Sequence, residues 1–307
     1  MSARIRIVVG FDGSADSWAA ARFAAAEAAA GHGTVRLVHS LLDRVAYATL
    51  LPADLPPDLT ADGQAEAQRL LELARTELAQ ACPDTDVQTT LVLRAPGAAL
   101  VRVSRSADLI VLGRHGHGRA PVGGGFQRVH AGAVATHVMA YASCPVVVTT
   151  AVDAETARHP VVLGLDAAAP SASAIAYAFE TAARRGTSLR VCYINAGARL
   201  GLRAGPRDDS QDDADARLLL SQALAGWRAA FADVPVALDV LHGLDPAARL
   251  LDAAATASLV VVGARERAGV PRPGPGGVPD TLVRNAPCPV AVVRTQRQPA
   301  THPAAVG

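Results

Sequence analysis

Apolar residues along the chain follow two alternating patterns, short continuous runs and longer segments with helical composition. The runs IRIVVGF at 5–11 and ADLIVLG at 107–113 are almost wholly apolar, which predicts strands buried on both faces. Alanine-rich segments of helical length stand between such runs, as in DSWAAARFAAAEAAAG at 16–31. Strands separated by helices of this length predict a parallel sheet with helices on both faces.

Capping residues mark where the predicted helices begin and end. Ser14 is placed to cap the first helix, Asp16 suits the positive end of its dipole, and Gly31 and Gly33 stop it. The segment AEAQRLLELARTELAQA at 65–81 predicts a long helix, and Asp213–Arg228 predicts its counterpart later in the chain.

Three landmarks occur twice, in the same order. RIVVGFDGS at 6–14 is answered by PVVLGLDAA at 160–168, ADLIVLG at 107–113 by ASLVVVG at 257–263, and ASCPVVVT at 142–149 by APCPVAVV at 286–293. A tandem duplication accounts for this pattern, and 307 residues suit two domains of about 150 residues each. We therefore predict a first domain at 1–150, a polar linker at 151–159, a second domain at 160–294 and a disordered tail at 295–307.

Composition excludes several kinds of chemistry. All 29 basic residues are arginine, so a lysine-containing P-loop and a Schiff-base lysine are both impossible. A formal net charge of +1 and 4% aromatic residues argue against a nucleic-acid partner. No apolar run reaches the roughly 18 residues of a membrane span, the chain opens directly into a strand, and the four cysteines are widely spaced. These features predict a cytoplasmic protein without a membrane partner.

The sequences VVGFDGS, ADLIVLG and ASCPVVV, each in its place and found twice, resemble the universal stress protein family in its tandem form. The resemblance covers nearly the whole chain. It implies two Rossmann-like domains, each an open five-stranded parallel sheet with helices on both faces. It also implies that the final strands pair across the domains as an intrachain pseudo-dimer, and that the protein serves a bacterial stress response.

Nucleotide-binding members of that family hold ATP between the ends of the first and fourth strands. Their phosphate loop reads glycine, two residues, glycine, nine residues, glycine and then Ser or Thr. Glycines let backbone N–H groups approach phosphate oxygens, and the last one opens a helix whose positive end faces them. Carried onto this chain, the resemblance implies a nucleotide site formed by Asp12, Ser40, Gly113, Arg114, His115, Gly116, Gly132, Ala133 and Val134.

Both repeats depart from the family loop. Fifteen residues (117–131), rather than nine, separate Gly116 from Gly132, and Ala133 and Ala135 stand where hydroxyl residues are usual. In the second repeat Glu266 replaces the second glycine, where its charge would repel a triphosphate, and DGS has become DAA. We therefore expect ATP, accompanied by Mg²⁺, in the first domain alone.

Other functions remain open at this point. Four histidines at 115, 117, 130 and 137 suggest a metal site, but the loop between them contains no Asp, Glu or Cys, so we expect none. No catalytic constellation accompanies the loop; slow ATP hydrolysis is the most that we expect, and a hydrolase or transferase is the weakest alternative. The main alternative is a nucleotide-free scaffold that binds an unknown protein partner. Homodimerisation on top of the pseudo-dimer is also open.

Overall fold

The computed structural model describes residues 4–41, 61–116, 132–149, 156–165, 170–195, 209–264 and 277–294. Strands and helices alternate through both halves. The first half contains β1 (Arg6–Gly10), α1 (Ala15–Ala30), β2 (Thr34–Ser40), α2 (Ala61–Ala81), β3 (Asp86–Val92), α3 (Pro96–Val103), β4 (Leu109–Gly113), α4 (Ala133–Tyr141) and β5 (Val146–Thr149).

A short 3₁₀ helix (Thr156–Arg158) precedes the second half, which repeats the same alternation. It contains β6 (Val161–Leu165), α5 (Ala172–Arg185), β7 (Leu189–Asn195), α6 (Asp209–Ala230), β8 (Val236–His242), α7 (Pro246–Ala254), β9 (Leu259–Ala264), α8 (Val278–Asn285) and β10 (Val290–Arg294). The long helices predicted at 65–81 and Asp213–Arg228 are present and begin four residues earlier than predicted.

All ten strands form one continuous sheet in the order β3-β2-β1-β4-β5-β10-β9-β6-β7-β8. Every strand pair within a half is parallel, and the two halves meet where β5 pairs antiparallel with β10, with Val147 opposite Ala291. The predicted fold class and the predicted pairing of the final strands are both confirmed. Each half is thus the open five-stranded parallel sheet expected, joined edge to edge with its repeat.

The apolar core continues through the joint on both faces of the sheet. Side chains alternate between faces, so Val9 and Val147 belong to one buried cluster and Val8 and Val146 to the other. Each cluster contains residues of both halves, for example Leu163 in the first. Because neither cluster ends at the joint, we treat the two halves as one packed unit.

Helix α1 begins where the capping residues predict. The Ser14 side chain accepts a hydrogen bond from the Ser17 N–H, and Gly31 ends the helix with its N–H on the carbonyls of Glu27 and Ala28. Alanines of α1 are almost fully buried, which lets the helix approach the sheet closely: Ala20, Ala21, Ala24, Ala25 and Ala28.

A buried ion pair connects α1 to α5 of the other half. The Glu27 side chain is 5% exposed, and its Oε1 lies 2.6 Å from Arg185 Nε. Arg184 Nη2 lies 3.6 Å from the other carboxylate oxygen, and Arg185 Nη1 donates to Ser258 Oγ at 3.1 Å. The Arg185 guanidinium also stands over the Phe23 ring, 5.3 Å from its centroid. Polar groups as well as apolar packing therefore hold the halves together.

Candidate functional site

The turn after β1 holds the Asp12 carboxylate in a defined position. Its Oδ1 accepts from the Ser14 hydroxyl at 2.6 Å and from the Ser14 N–H at 3.0 Å. Gly13 takes φ +82°, a conformation that favours glycine. A Cβ atom at Gly116 would lie only 2.5 Å from Asp12 Oδ2, so this carboxylate oxygen lies directly against the loop after β4. The structure thus places Asp12 and Gly116, two residues of the predicted site, next to each other.

Gly113, the first glycine of the loop, packs against the first turn of α1. A Cβ atom there would lie 2.6 Å from the carbonyl carbon of Asp16, a contact that no side chain can make without displacing backbone. Glycine at this position therefore serves a close approach between β4 and α1.

Asp16 binds the loop, which the sequence analysis did not anticipate. Its Oδ2 accepts from the His115 backbone N–H at 2.9 Å and lies 3.0 Å from His115 Nδ1. The Asp16 side chain is 24% exposed and that of His115 is 49% exposed. One amide of the predicted phosphate loop is therefore already hydrogen-bonded to a carboxylate. The only signal in the sequence is a carboxylate in the first helical turn after DGS, which the helix dipole alone would also favour.

The main chain at Arg114 joins three parts of the candidate site. Its N–H donates to the Thr149 carbonyl at 3.1 Å, and its carbonyl accepts from the Gly132 N–H at 3.0 Å. Gly132 is the N-cap of α4. Its hydrogen bond to Arg114 therefore joins the start of α4 to the residue that follows β4. The predicted glycines at 113, 116 and 132 consequently lie in one neighbourhood.

The Arg114 side chain extends toward the second half. Its Nη2 donates to the Ala286 carbonyl, at the end of α8, at 2.5 Å. Burial lowers the pKa of Arg114, and the negative charge of Asp16 opposes that shift. The guanidinium of Arg114, a residue of the predicted nucleotide site, is therefore engaged at the joint between the halves. Arg294 of the second half makes the reciprocal contact, donating to the Ala140 carbonyl near the end of α4 in the first half.

The start of α4 offers backbone donors. Gly132 supplies no side-chain cap, and the first turn contains no acidic residue. Ala133 is exposed and Val134 is half-buried. The N–H groups of a helical first turn have no partner within the helix and carry partial positive charge, so this end of α4 suits an anion.

Ser40 stands at the end of β2, one strand away from Asp12. Its hydroxyl donates to the Arg94 carbonyl after β3. The neighbouring His39 ring contacts the turn after β1, because its Nδ1 lies 2.8 Å from the Phe11 carbonyl oxygen. The Leu41 N–H donates to the Val92 carbonyl at 3.2 Å. These contacts hold the carboxyl end of β2, where Ser40 of the predicted nucleotide site lies.

The second half differs at the corresponding helix start. Gly277 caps α8 without a side-chain hydrogen bond, but the first turn contains Asp280, which is 3% exposed and pairs with Arg284 at 3.1 Å from Oδ1 to Nε. A carboxylate therefore stands in the first turn of α8, where α4 has none. The predictions for Glu266 and Asp166 lie outside the described residues.

Two further properties follow from the described residues. Among them, no group of three or more His, Cys, Asp and Glu side chains could hold a metal ion; His117 and His130 lie outside this part of the chain. No helix within the described ranges has the length and apolar character needed to span a membrane.

Comparison with known proteins finds the same similarity over both halves. The family model described as the universal stress protein family matches residues 4–150 and again 157–294. A universal stress protein of Mycolicibacterium smegmatis is 34% identical over 294 residues, which cover 94% of this chain and 96% of that protein. One from Mycobacterium tuberculosis is 32% identical over 295 residues, with the same coverage. The crystal structure of a universal stress protein from Archaeoglobus fulgidus has a similar fold, with a TM-score of 0.69 at 16% identity, and the alignment covers 95% of this chain and 98% of that one.

Proposed function

This chain belongs to the universal stress protein family, and from that premise we propose that its first half binds an adenine nucleotide, ATP in the first instance. Occupancy of the site regulates which partner the protein binds or how it assembles, in a bacterial cytoplasmic stress response. The proposed contacts are Asp12, Ser40, Gly113, Arg114, His115, Gly116, Gly132, Ala133 and Val134. The mycobacterial relatives support the bacterial setting.

The observation that carries the proposal is the meeting of three elements at the carboxyl ends of β1 and β4. Asp12 lies against Gly116, the loop closes on itself at Arg114 and Gly132, and α4 starts beside it without a side-chain cap. Open parallel sheets bind ligands at such an edge. The Asp12 carboxylate can accept hydrogen bonds from a nucleoside, and the backbone donors at Ala133 and Val134 can bind phosphate.

Two carboxylates border this loop, which affects the form in which a nucleotide binds. Asp12 and Asp16 both lie against Gly113–Gly116, so a bare triphosphate would bring like charge to them. Mg²⁺ bound to the phosphates reduces that repulsion, and displacement of Asp16 from the His115 N–H frees one more donor. We therefore expect Mg²⁺–ATP to bind better than ATP with the metal chelated.

A nucleotide-free scaffold is the second candidate function. Fifteen residues separate Gly116 from Gly132, alanine occupies the hydroxyl positions, and the His115 N–H already has an acceptor. In that case the two joined halves present a surface to a protein partner without regulation by a nucleotide. We propose no catalytic residue under either function.

The substitution Gly116→Glu tests the proposal. It adds a carboxylate against Asp12, and at an effective dielectric near 20 two unit charges 4 Å apart repel by about 4 kcal/mol. We expect Mg²⁺–ATP affinity, measured by titration calorimetry, to fall at least tenfold. Gly226→Glu is the matched control, because Gly226 lies on α6 and a Cβ atom added there would have no neighbouring atom within 4 Å.

Bound nucleotide is also measured directly, by acid release and chromatography. Wild-type protein and the Gly226 variant should each release or bind close to one adenine nucleotide per chain. Binding that is unchanged by Gly116→Glu contradicts the assignment of the site. Absence of binding in all three proteins favours the scaffold.

A further inference from the structure

Two adjoining cavities lie on the face of the first half that α3 and α4 cover. The larger, of about 700 Å³, opens between these helices and is lined by Ala98, Val101, Arg102, Arg105, His137 and Tyr141. The smaller, of about 320 Å³, lies between α3 and the β2–β3 edge of the sheet. Arg102 lines both cavities, so we describe them together as the arginine cleft.

The arginine cleft concentrates positive charge in a protein that is nearly neutral overall. Arg36 and Arg94 line the smaller cavity, Arg105 lines the larger, and Arg102 stands between them. Arg36 Nη2 donates to the Gln88 side chain at 3.4 Å. Among the ion pairs between described residues, none joins any of these four arginines to a carboxylate.

Apolar and aromatic surface accompanies this charge. Val38, Val92 and Val103 contribute to the wall of the smaller cavity. In the larger, the rings of His137 and Tyr141 lie 4.8 Å apart and Tyr141 is 47% exposed. The cleft therefore offers guanidinium groups next to a surface on which a flat or apolar group can pack.

We propose that the arginine cleft binds a small organic phosphate, a phosphate monoester or diester that carries an apolar or aromatic group. The planar guanidinium forks of Arg102 and Arg105 match phosphate oxygens in a bidentate manner, and Tyr141 and the valines receive the organic part. A volume of about 700 Å³ falls in the range of small-molecule sites. The two arginines assigned to the phosphate, Arg102 and Arg105, lie at and just after the carboxyl-terminal end of α3, whereas the nucleotide contacts lie at the ends of β1, β2 and β4 and at the start of α4. The smaller cavity adjoins the nucleotide site at Arg94, whose carbonyl accepts a hydrogen bond from Ser40.

Phenyl phosphate is the probe, titrated into the full chain by calorimetry, with Arg102→Gln as the test variant. We expect wild-type protein to bind phenyl phosphate and the variant to bind it at least fivefold more weakly. Arg228→Gln is the matched control, since Arg228 is likewise an exposed arginine in the last turn of a helix. Gly116→Glu should bind phenyl phosphate as well as wild-type protein, which separates this result from that of the nucleotide proposal.

Vesicles distinguish the two sources of an organic phosphate. Sedimentation with phosphatidylglycerol vesicles that depends on Arg102, and is absent with phosphatidylcholine, identifies a lipid headgroup; phenyl phosphate binding without sedimentation identifies a soluble ester. Arg105→Gln provides a second variant and should also weaken binding. The proposal is overturned if neither probe binds, if Arg102→Gln leaves binding unchanged, or if inorganic phosphate binds as tightly as phenyl phosphate.

Discussion

Replacement of Glu27 by glutamine tests how strongly the two halves are joined. Removing one partner from a buried ion pair costs about 3–5 kcal/mol. Glutamine keeps the shape of the side chain and can still accept a hydrogen bond from Arg185 Nε. The side chains of Arg185 and Arg184 are 12% and 21% exposed, so water can partly solvate their charges after the substitution. We therefore expect a loss of about 3 kcal/mol in the free energy of unfolding, at the lower end of that range.

Urea denaturation followed by tryptophan fluorescence measures this loss. Trp18 packs against the core from the first half and Trp227 from the second, so single-tryptophan variants report on each half separately. Because both apolar clusters continue across the joint, we expect the two probes to report one transition at the same urea concentration.

The matched control is Glu66→Gln on α2. Glu66 also pairs with an arginine, Arg69, at 2.9 Å, but the two side chains are 74% and 72% exposed. An exposed pair contributes about 0–1 kcal/mol, so the control should lose less than about 0.5 kcal/mol. A loss at Glu27 no larger than the loss at Glu66 would refute the reasoning, because it would mean that the pair is solvated and does not secure the joint.

Two further predictions concern the packing of two glycines and the reactivity of the four thiols. Gly113→Ala should destabilise the protein by about 2 kcal/mol in the same urea assay, because its Cβ would lie 2.6 Å from the backbone of Asp16. Gly226→Ala is the control: a Cβ atom there meets no atom within 4 Å, so the variant should be neutral or more stable by up to about 1 kcal/mol. At pH 8 a chromogenic disulfide should modify the partly exposed Cys82 first. Burial raises the pKa of the other three thiols, to about 12 for Cys144 and about 11 for Cys192 and Cys288, so these thiols stay protonated and unreactive. Rapid modification of more than one thiol in the native protein would contradict this, and all four should react in denaturant.

The elements of the fold could be predicted because their signals are local. The apolar run at 107–113 becomes β4, and the predicted N-cap Ser14 caps α1. The same holds for the repeat, since each half contains its own complete pattern of strands and helices. The resemblance assigned Asp12 and Gly116 to one site, but it did not predict how closely the carboxylate approaches this glycine.

The contacts that the sequence did not predict join distant parts of the chain. Asp16 and His115 are 99 residues apart, Glu27 and Arg185 are 158 apart, and Arg114 reaches a carbonyl 172 residues away. Each depends on how side chains of different elements approach one another after the sheet has assembled. A charged residue in a helix or loop gives the same local signal whether it faces solvent, a ligand or the other half.

The antiparallel pairing of β5 with β10 has a consequence for mass action. Two separate chains that met through these strands would dissociate on dilution, and their stability would depend on protomer concentration. Here both strands belong to one polypeptide, so the pairing is intramolecular and independent of concentration. The two halves need not be identical either, since each always meets the other and never a copy of itself. One half can therefore keep DGS and Gly116 while the other carries DAA and Glu266.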